Sequence, residues 1–365
     1  METLNLLIIE DEETQLKVYG DAIDSFCKKK TISIHKTICK SFGDGEKALL
    51  QPFYDAAIID LKLSSSHELE GKLLLEKVYQ KIRIPIFVVS GSISQIDDIP
   101  ETSLFKKRLR TELISNILQE IFDIYTTGIT SFLRPDGLID KKLSEIFWKN
   151  LSADLQVWID HNNPKSLLRY ILAHFQEHLD INPEGDFEEY SPSEVYIKPP
   201  IKKNIHTGDI LKIDSCYYLV LNPACDIIIQ RYEDQADGTK RPIRKAEKIV
   251  NVKAFEFDAA KFCLNKNKKI EKGKIKEYVT NNNFRYHYLP PFEKNKGFLL
   301  DFQSVSSFDF PEEVERIASI SSPFIKDIIA RFSNYYSRQG QPTYNQNSIV
   351  DLIFHDATNN QDEVA

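Results

Sequence analysis

The 365-residue sequence lacks any apolar run of the roughly 18 residues that a membrane-spanning helix requires. No basic segment precedes an apolar stretch at the N-terminus, so a secretory signal is not predicted. The five cysteines are odd in number and never spaced as C-x-x-C, which argues against a disulfide framework or a zinc ribbon. Together these absences predict a cytoplasmic protein without a membrane anchor.

Familiar output motifs are also missing, since no helix-turn-helix, winged-helix, cyclase or nucleotide-binding pattern can be found. The formal net charge is −7, but residues 201–300 hold 20 Lys and Arg against 12 Asp and Glu. A basic stretch on an acidic chain is compatible with a polyanionic partner, and equally with lysines that are simply solvated.

Four short apolar runs each end in charged or hydroxyl side chains. The residues that follow the runs are, in chain order, Glu10 with Asp11, then Asp60, then Ser90, then Lys106 with Lys107. Because the carboxyl ends of parallel strands share one edge of a sheet, we expect these side chains to meet there. Clustered carboxylates without histidine or cysteine are hard oxygen ligands that suit Mg²⁺. A carboxylate can also accept a phosphoryl group.

The order of strand and helix signals predicts an α/β protein with several parts. Residues 1–125 alternate strands and helices, including a helix over 68–82, which predicts a flavodoxin-like doubly wound parallel sheet. Residues 126–182 have helical spacing and form a predicted connector, followed by a linker over 183–200. Residues 201–345 change to a period of two and predict a β-rich α+β domain, with an SH3-like barrel as one form. Residues 346–365 are polar and predicted to be disordered.

The ordered set of Glu10-Asp11, Asp60, Ser90 and a lysine on this alternation resembles the receiver domain of bacterial response regulators. The resemblance covers about the first 125 residues and implies that Asp60 is the phosphoacceptor. It further implies that Asp11, Asp60 and the backbone carbonyl of Lys62 bind Mg²⁺ directly, while Glu10 orients a metal-bound water.

By the same resemblance, Ser90 hydrogen-bonds the phosphoryl group and Lys107 pairs with it. The family usually has Lys-Pro after its fifth strand, whereas this chain has Phe105-Lys106-Lys107-Arg108, so Lys106 is the alternative. Few residues separate Ser90 from the fifth run, which predicts a short or irregular fourth helix. The implied partner is a histidine kinase or a related ATPase.

The remaining two-thirds of the chain leaves several interpretations open. Interleaved arginines and aromatic residues favour nucleic-acid binding or, more simply, a helix packed on a β domain; the candidates are Arg285, Arg331, Tyr335 and Arg338. His174-Phe175-Gln176-Glu177-His178 matches H-x-x-E-H, which can hold zinc but often occurs without it.

The sequence therefore predicts a response-regulator-like switch, without enzymatic output, that controls a protein or nucleic-acid interaction. A receiver-gated nuclease of toxin-type barrel and a phosphorylation-independent adaptor, for instance in a defence system, are the alternatives. A homodimer is left open.

Overall fold

The computed structural model divides the chain into two compact units, Met1–Glu188 and Glu189–Ala365. It describes residues 3–51, 53–61, 82–91, 93, 96–97, 99–153, 155–161, 163–180, 184–186, 188–235, 238, 240–291, 297–311, 313–338 and 345–362. None of the helices in those ranges combines the length and the apolar character that crossing a membrane would demand.

The first unit is built on a five-stranded sheet. Its strands are β1 Thr3–Ile9, β2 Ser33–Cys39, β3 Ala56–Ile59, β4 Ile86–Ser90 and β5 Phe105–Leu109. All neighbouring pairs are parallel, and the strand order is β2-β1-β3-β4-β5. This is the flavodoxin-like order, so the predicted parallel α/β sheet is confirmed. Strands β3 and β4 are buried at every position, as expected of inner strands covered on both faces.

Helices cover both faces of this sheet. Helices α1 Glu13–Lys30 and α3 Ile114–Tyr125 pack on one face of the sheet. Helix α3 contributes a buried stripe of residues about one turn apart, namely Ile114, Ile117, Leu118 and Ile121. Helix α2 Phe42–Leu49 contributes to the core on the other face. Alternate residues of each strand enter the two cores, so Ile58 faces α1 while Ile59 faces the α2 side. The predicted helix over 68–82 lies almost wholly outside the described residues.

The predicted connector forms helices that belong to the first unit. They are α4 Ile129–Leu133, α5 Leu138–Ile146 continuing as a π-helical turn Phe147–Leu151, α6 Leu155–His161 and α7 Pro164–Leu179. Helix α7 begins at Pro164 because the Asn163 side chain accepts a hydrogen bond from Ser166 N.

The connector is fixed to the sheet at the amino end of β3. The buried carboxylate of Asp55 accepts hydrogen bonds from Asn5 N at 2.9 Å and from Thr130 Oγ1 at 3.3 Å. Arg134 Nη1 lies 3.5 Å from the same carboxylate. A domain boundary at residue 125, as the sequence predicts, would separate Asp55 from two of its partners.

The second unit contains a seven-stranded antiparallel sheet of order β12-β13-β11-β8-β7-β14-β6, together with a separate β9–β10 hairpin. The strands are β6 Tyr196–Ile197, β7 Asp209–Ile213, β8 Cys216–Val220, β9 Arg231–Asp234, β10 Lys240–Ile243, β11 Lys248–Glu256, β12 Tyr286–Leu289, β13 Phe298–Asp309 and β14 Glu315–Ile320. Among the described residues, the strand pairs give an open order from β12 to β6, and an SH3-like barrel stays a prediction. Strand β6 lies in the predicted linker, because Tyr196 and Ile197 pair with β14.

Within the described part of this unit, the helices are α8 Ala224–Ile227, α9 Ala259–Phe262, α10 Lys272–Val279, α11 Ser322–Ser337 and α12 Gln346–Asp362. Helix α11 packs on the sheet core through Ile328 and Tyr335. Helix α12 occupies most of the tail for which the sequence predicts disorder. Some apolar residues recur there at helical spacing, namely Ile349, Val350 and Ile353. The polar composition of the tail makes this spacing hard to recognise in the sequence.

Candidate metal centre

Backbone hydrogen bonds extend the parallel sheet one residue beyond three of its strands. Glu10 N donates to Cys39 O at 3.0 Å, Asp60 N to Ile9 O at 2.9 Å, and Arg110 N to Ser90 O at 3.1 Å. The residues that follow β1, β3 and β5 are therefore held in register at the carboxyl edge. The sheet itself, more than any loop, positions the candidate site.

Three carboxylates meet at this edge. One oxygen each of Glu10, Asp11 and Asp60 lies within 4.8 Å of the other two, the only such His, Cys, Asp and Glu cluster among the described residues. Glu10 and Asp60 are each 1% exposed, whereas Asp11 faces solvent. Glu10 Oε2 is buried and has no hydrogen-bond partner among the described residues. An all-oxygen set with a buried acceptor left over fits Mg²⁺.

Burial controls the ionisation of Glu10. Loss of hydration raises the pKa of Glu10 to about 7, and the Asp60 carboxylate adds to the rise, although a hydrogen bond from Glu12 N opposes it. That bond joins Glu12 N to Glu10 Oε1 at 3.1 Å. Glu10 is therefore partly protonated near neutral pH, and a divalent cation would favour its charged form.

A cation that the sequence reasoning missed lies against these carboxylates. Arg110 Nη2 is 2.5 Å from Asp60 Oδ2 and 3.5 Å from Glu10 Oε1, while Nη1 is 2.9 Å from Glu12 Oε2. Burial acts to lower the pKa of Arg110, but Asp60, Glu10 and Glu12 raise it overall. No sequence signal marked Arg110, because only the observed end of β5 at Leu109 shows that Arg110 lies at the carboxyl edge.

The predicted lysines lie inside β5 instead of beyond it. Lys106 pairs in register with Phe87 and Lys107 with Val88, both before the end of β4 at Ser90. Lys107 Nζ donates to Ile96 O at 2.6 Å. Both lysine side chains are half-buried. Their assignment as the cation that pairs with a phosphoryl group stays a prediction, and Arg110 is a cation that contacts Asp60.

Ser90 and Lys62 are the remaining predicted members of the site. Ser90 is the last residue of β4, is 1% exposed, and carries the backbone oxygen that binds Arg110 N. Lys62, whose carbonyl is a predicted metal ligand, lies outside the described residues.

Tyr19 of α1 is a second residue near the acidic cluster that the sequence reasoning missed. Burial, followed by the charges of Glu10 and Asp60, raises the pKa of Tyr19. Its hydroxyl is buried without a hydrogen-bond partner among the described residues. Its position in the apolar stripe of α1 makes it resemble an ordinary core aromatic residue.

The nucleic-acid candidates of the second unit have structural partners. Arg285 forms a two-pronged ion pair with Asp301, with both distances 2.7 Å. Arg331 Nη2 donates to Asn283 O and Tyr286 O. Tyr335 is 8% exposed. The Arg338 guanidinium lies over the Tyr335 ring, with its Cζ 4.3 Å from the ring centre. Nucleic-acid binding through these four residues stays a prediction.

The H-x-x-E-H zinc motif and the nuclease alternative can both be compared with the geometry. His174 packs edge-on against Tyr170 at 4.3 Å between ring centres, and the described residues form no metal cluster with Glu177 and His178. In the second unit, His287, Asp327 and Arg331 converge in a cavity of about 670 Å³. Burial and Arg331 lower the pKa of His287 to about 3, which makes it a poor general base near neutral pH.

No protein-family model matches the sequence, and no curated protein matches it. Several solved structures similar to part of the chain are receiver domains. One is a CheY-like response regulator receiver domain from Methanospirillum hungatei JF-1, 17% identical over 35% of this chain and 100% of that chain, with a TM-score of 0.27. A CheY-like receiver domain from Methylobacillus flagellatus is 22% identical over 33% and 99%, with a TM-score of 0.24. The BeF3-activated N-terminal receiver domain of Klebsiella pneumoniae RstA is 15% identical over 32% and 97%, with a TM-score of 0.25.

Proposed function

We propose that the chain is a response-regulator-like signalling protein in which Asp60 accepts a phosphoryl group. The observation that carries the proposal is the buried Asp60 carboxylate at the end of β3, with Glu10 and Asp11 at cation-binding distance and a guanidinium on it. A histidine kinase or a related ATPase would be the partner that supplies the phosphoryl group. The second unit would carry the output to a protein or nucleic-acid target.

The acidic cluster is proposed to hold Mg²⁺, with Asp11, Asp60 and the Lys62 carbonyl as direct ligands and Glu10 orienting a metal-bound water. When bound, Mg²⁺ supplies positive charge that stabilises the phosphoryl group during transfer. Asp60 contributes the carboxylate oxygen that forms the new bond to phosphorus while the bond to the donor's leaving group breaks. Ser90 is proposed to donate its hydroxyl to a phosphoryl oxygen, and Arg110 lies where it can meet the added negative charge.

Labelling with a small acyl phosphate tests this directly. With Mg²⁺ present, the intact mass of the wild-type chain should increase by one phosphoryl group, and Asp60→Asn should show no increase. Asp55→Asn is the matched control, because Asp55 is an equally buried aspartate at the opposite end of β3. Chelation of the metal should abolish labelling of wild type. Equal labelling of wild type and Asp60→Asn would refute the proposal.

One observation favours a phosphorylation-independent adaptor as the second candidate. The Nζ of Lys107, the lysine predicted to pair with a phosphoryl group, donates instead to the Ile96 carbonyl. An adaptor would bind its target equally well as wild type and as Asp60→Asn, and neither form would be labelled by the acyl phosphate.

A further inference from the structure

Arg110 occupies the acidic cluster in the way that a bound cation would. Its guanidinium contacts Asp60 and Glu10, which are two of the three carboxylates proposed to hold Mg²⁺. Both carboxylates are buried, so screening by solvent is weak and the sign and position of nearby charges matter strongly. A divalent cation and this guanidinium would therefore repel each other at close range.

The hydrogen bonds of Arg110 differ from those of Arg108, a structural arginine two residues earlier in β5. Arg108 Nη2 contacts Glu120 at 2.8 Å, Nη1 contacts Glu101 at 2.9 Å, and Nε lies 3.6 Å from Glu112. Arg110 Nε, in contrast, is buried with no hydrogen-bond partner among the described residues. Arg110 is thus held through its Nη atoms, and Nη2 contacts the two buried acids of the proposed metal site.

Glu12 gives the guanidinium a contact outside the proposed metal ligands. Its carboxylate lies 2.9 Å from Arg110 Nη1, and its side chain is 49% exposed. An arginine that leaves Asp60 could keep this contact at the rim of the site.

We propose that Arg110 is an internal competitor of Mg²⁺, so that metal binding requires the guanidinium to leave the Asp60 and Glu10 carboxylates. This inference rests on the proposed metal site and concerns how occupation of that site is regulated. Binding of Mg²⁺ at Asp60 and the pairing of Arg110 with Asp60 exclude each other, and without the metal the guanidinium offsets part of the negative charge of this edge.

Calorimetric titration of the full-length chain with MgCl₂ tests the competition without any activity readout. Arg110→Ala should lower the dissociation constant for Mg²⁺ by about tenfold or more, because one close positive charge is removed from a buried cluster. Arg108→Ala is the matched control, since it removes the same charge two residues away in the sequence. Its dissociation constant should stay within about twofold of wild type.

Chemical rescue separates occupancy of the site from general charge. Guanidinium chloride at about 20 mM, far below the molar concentrations that unfold proteins, should weaken Mg²⁺ binding to Arg110→Ala more than NaCl of equal ionic strength does. Wild type should respond equally to the two salts. Arg110→Lys serves as the second variant, and its single ammonium should give an affinity between those of wild type and Arg110→Ala.

The outcomes distinguish this inference from the proposed function. If wild type binds Mg²⁺ and Arg110→Ala binds it no more tightly, the competition is overturned while the metal site stands. If neither binds Mg²⁺, the metal site is refuted and the competition with it. Tighter binding by Arg110→Ala together with selective weakening by guanidinium supports the inference.

Discussion

His287 is a buried histidine through whose ionisation the stability of the second unit should depend on pH. It lies on β12, is 5% exposed, and has its pKa lowered to about 3 by burial and by Arg331. In the unfolded chain a histidine has a pKa near 6.5, so below that pH the unfolded state binds a proton that the folded state excludes. The stability due to neutral His287 is therefore complete above about pH 6.5 and is lost as the pH falls towards 3.

We expect the second unit to lose about 2 kcal/mol of stability between about pH 6.5 and pH 5 through this residue alone. His287→Gln should flatten that dependence even if it lowers stability at every pH. Urea unfolding at several pH values, followed by pulsed hydrogen exchange of β12 and β13, measures the effect. His355→Gln, at an exposed histidine of α12, should keep the wild-type slope. An unchanged slope in His287→Gln would contradict the assignment.

The carboxylates of the site could be predicted at the level of single residues, because buried apolar runs of β1 and β3 end directly before them. Arg110 could not be, since β5 has few apolar residues and the sequence Lys106-Lys107-Arg108 conceals how far the strand extends. Long basic side chains can cover a sheet with their aliphatic stems, so a polar stretch can still be a strand. Tyr19 was missed for the opposite reason, because an aromatic residue in an apolar stripe gives no sign of nearby charge.

At the scale of elements, α3 depends on one buried stripe. Ile117 is fully buried against the sheet, whereas Leu113, just before the helix, is 69% exposed. Ile117→Ala should destabilise the first unit by about 2–4 kcal/mol, because it leaves a cavity in a packed core. Leu113→Ala should change stability by no more than about 0.5 kcal/mol. Urea unfolding monitored by the emission of Trp148 and Trp158, both in the first unit, provides the measurement; similar losses in the two variants would refute this packing.

The sequence predicts elements well where one period persists and poorly where elements are short or paired at a distance. The stripe of α3 and the buried runs of β3 and β4 have clear local signals. Strand β6 has only two residues and exists because β14, more than a hundred residues later, pairs with it. Such pairing depends on tertiary structure and leaves no local pattern.

At the scale of the whole molecule, the first unit extends well beyond the predicted receiver boundary. Helix α4 contributes Ile129 and Leu133 to the lining of an apolar cavity of about 300 Å³ beside β4 and β5, and Thr130 reaches the buried Asp55. Truncation at residue 125 would expose that surface and leave Asp55 with fewer partners.

We therefore expect a fragment of residues 1–188 to unfold at a temperature at least about 5 °C above that of residues 1–125. Thermal unfolding followed by far-ultraviolet circular dichroism compares them, since the shorter fragment contains no tryptophan. Arg134→Ala in the longer fragment should account for part of the difference. Equal transition temperatures for the two fragments would show that the connector does not stabilise the sheet.

The contact between Asp60 and Arg110 also constrains how this chain can change over generations. A lineage that replaced the aspartate alone would keep a guanidinium facing the remaining acids with its closest counterion gone, and one that replaced the arginine alone would leave buried negative charges crowded together. Each substitution is harmful until the other has occurred. We therefore expect descendants of this gene to inherit the two residues together or to have lost both.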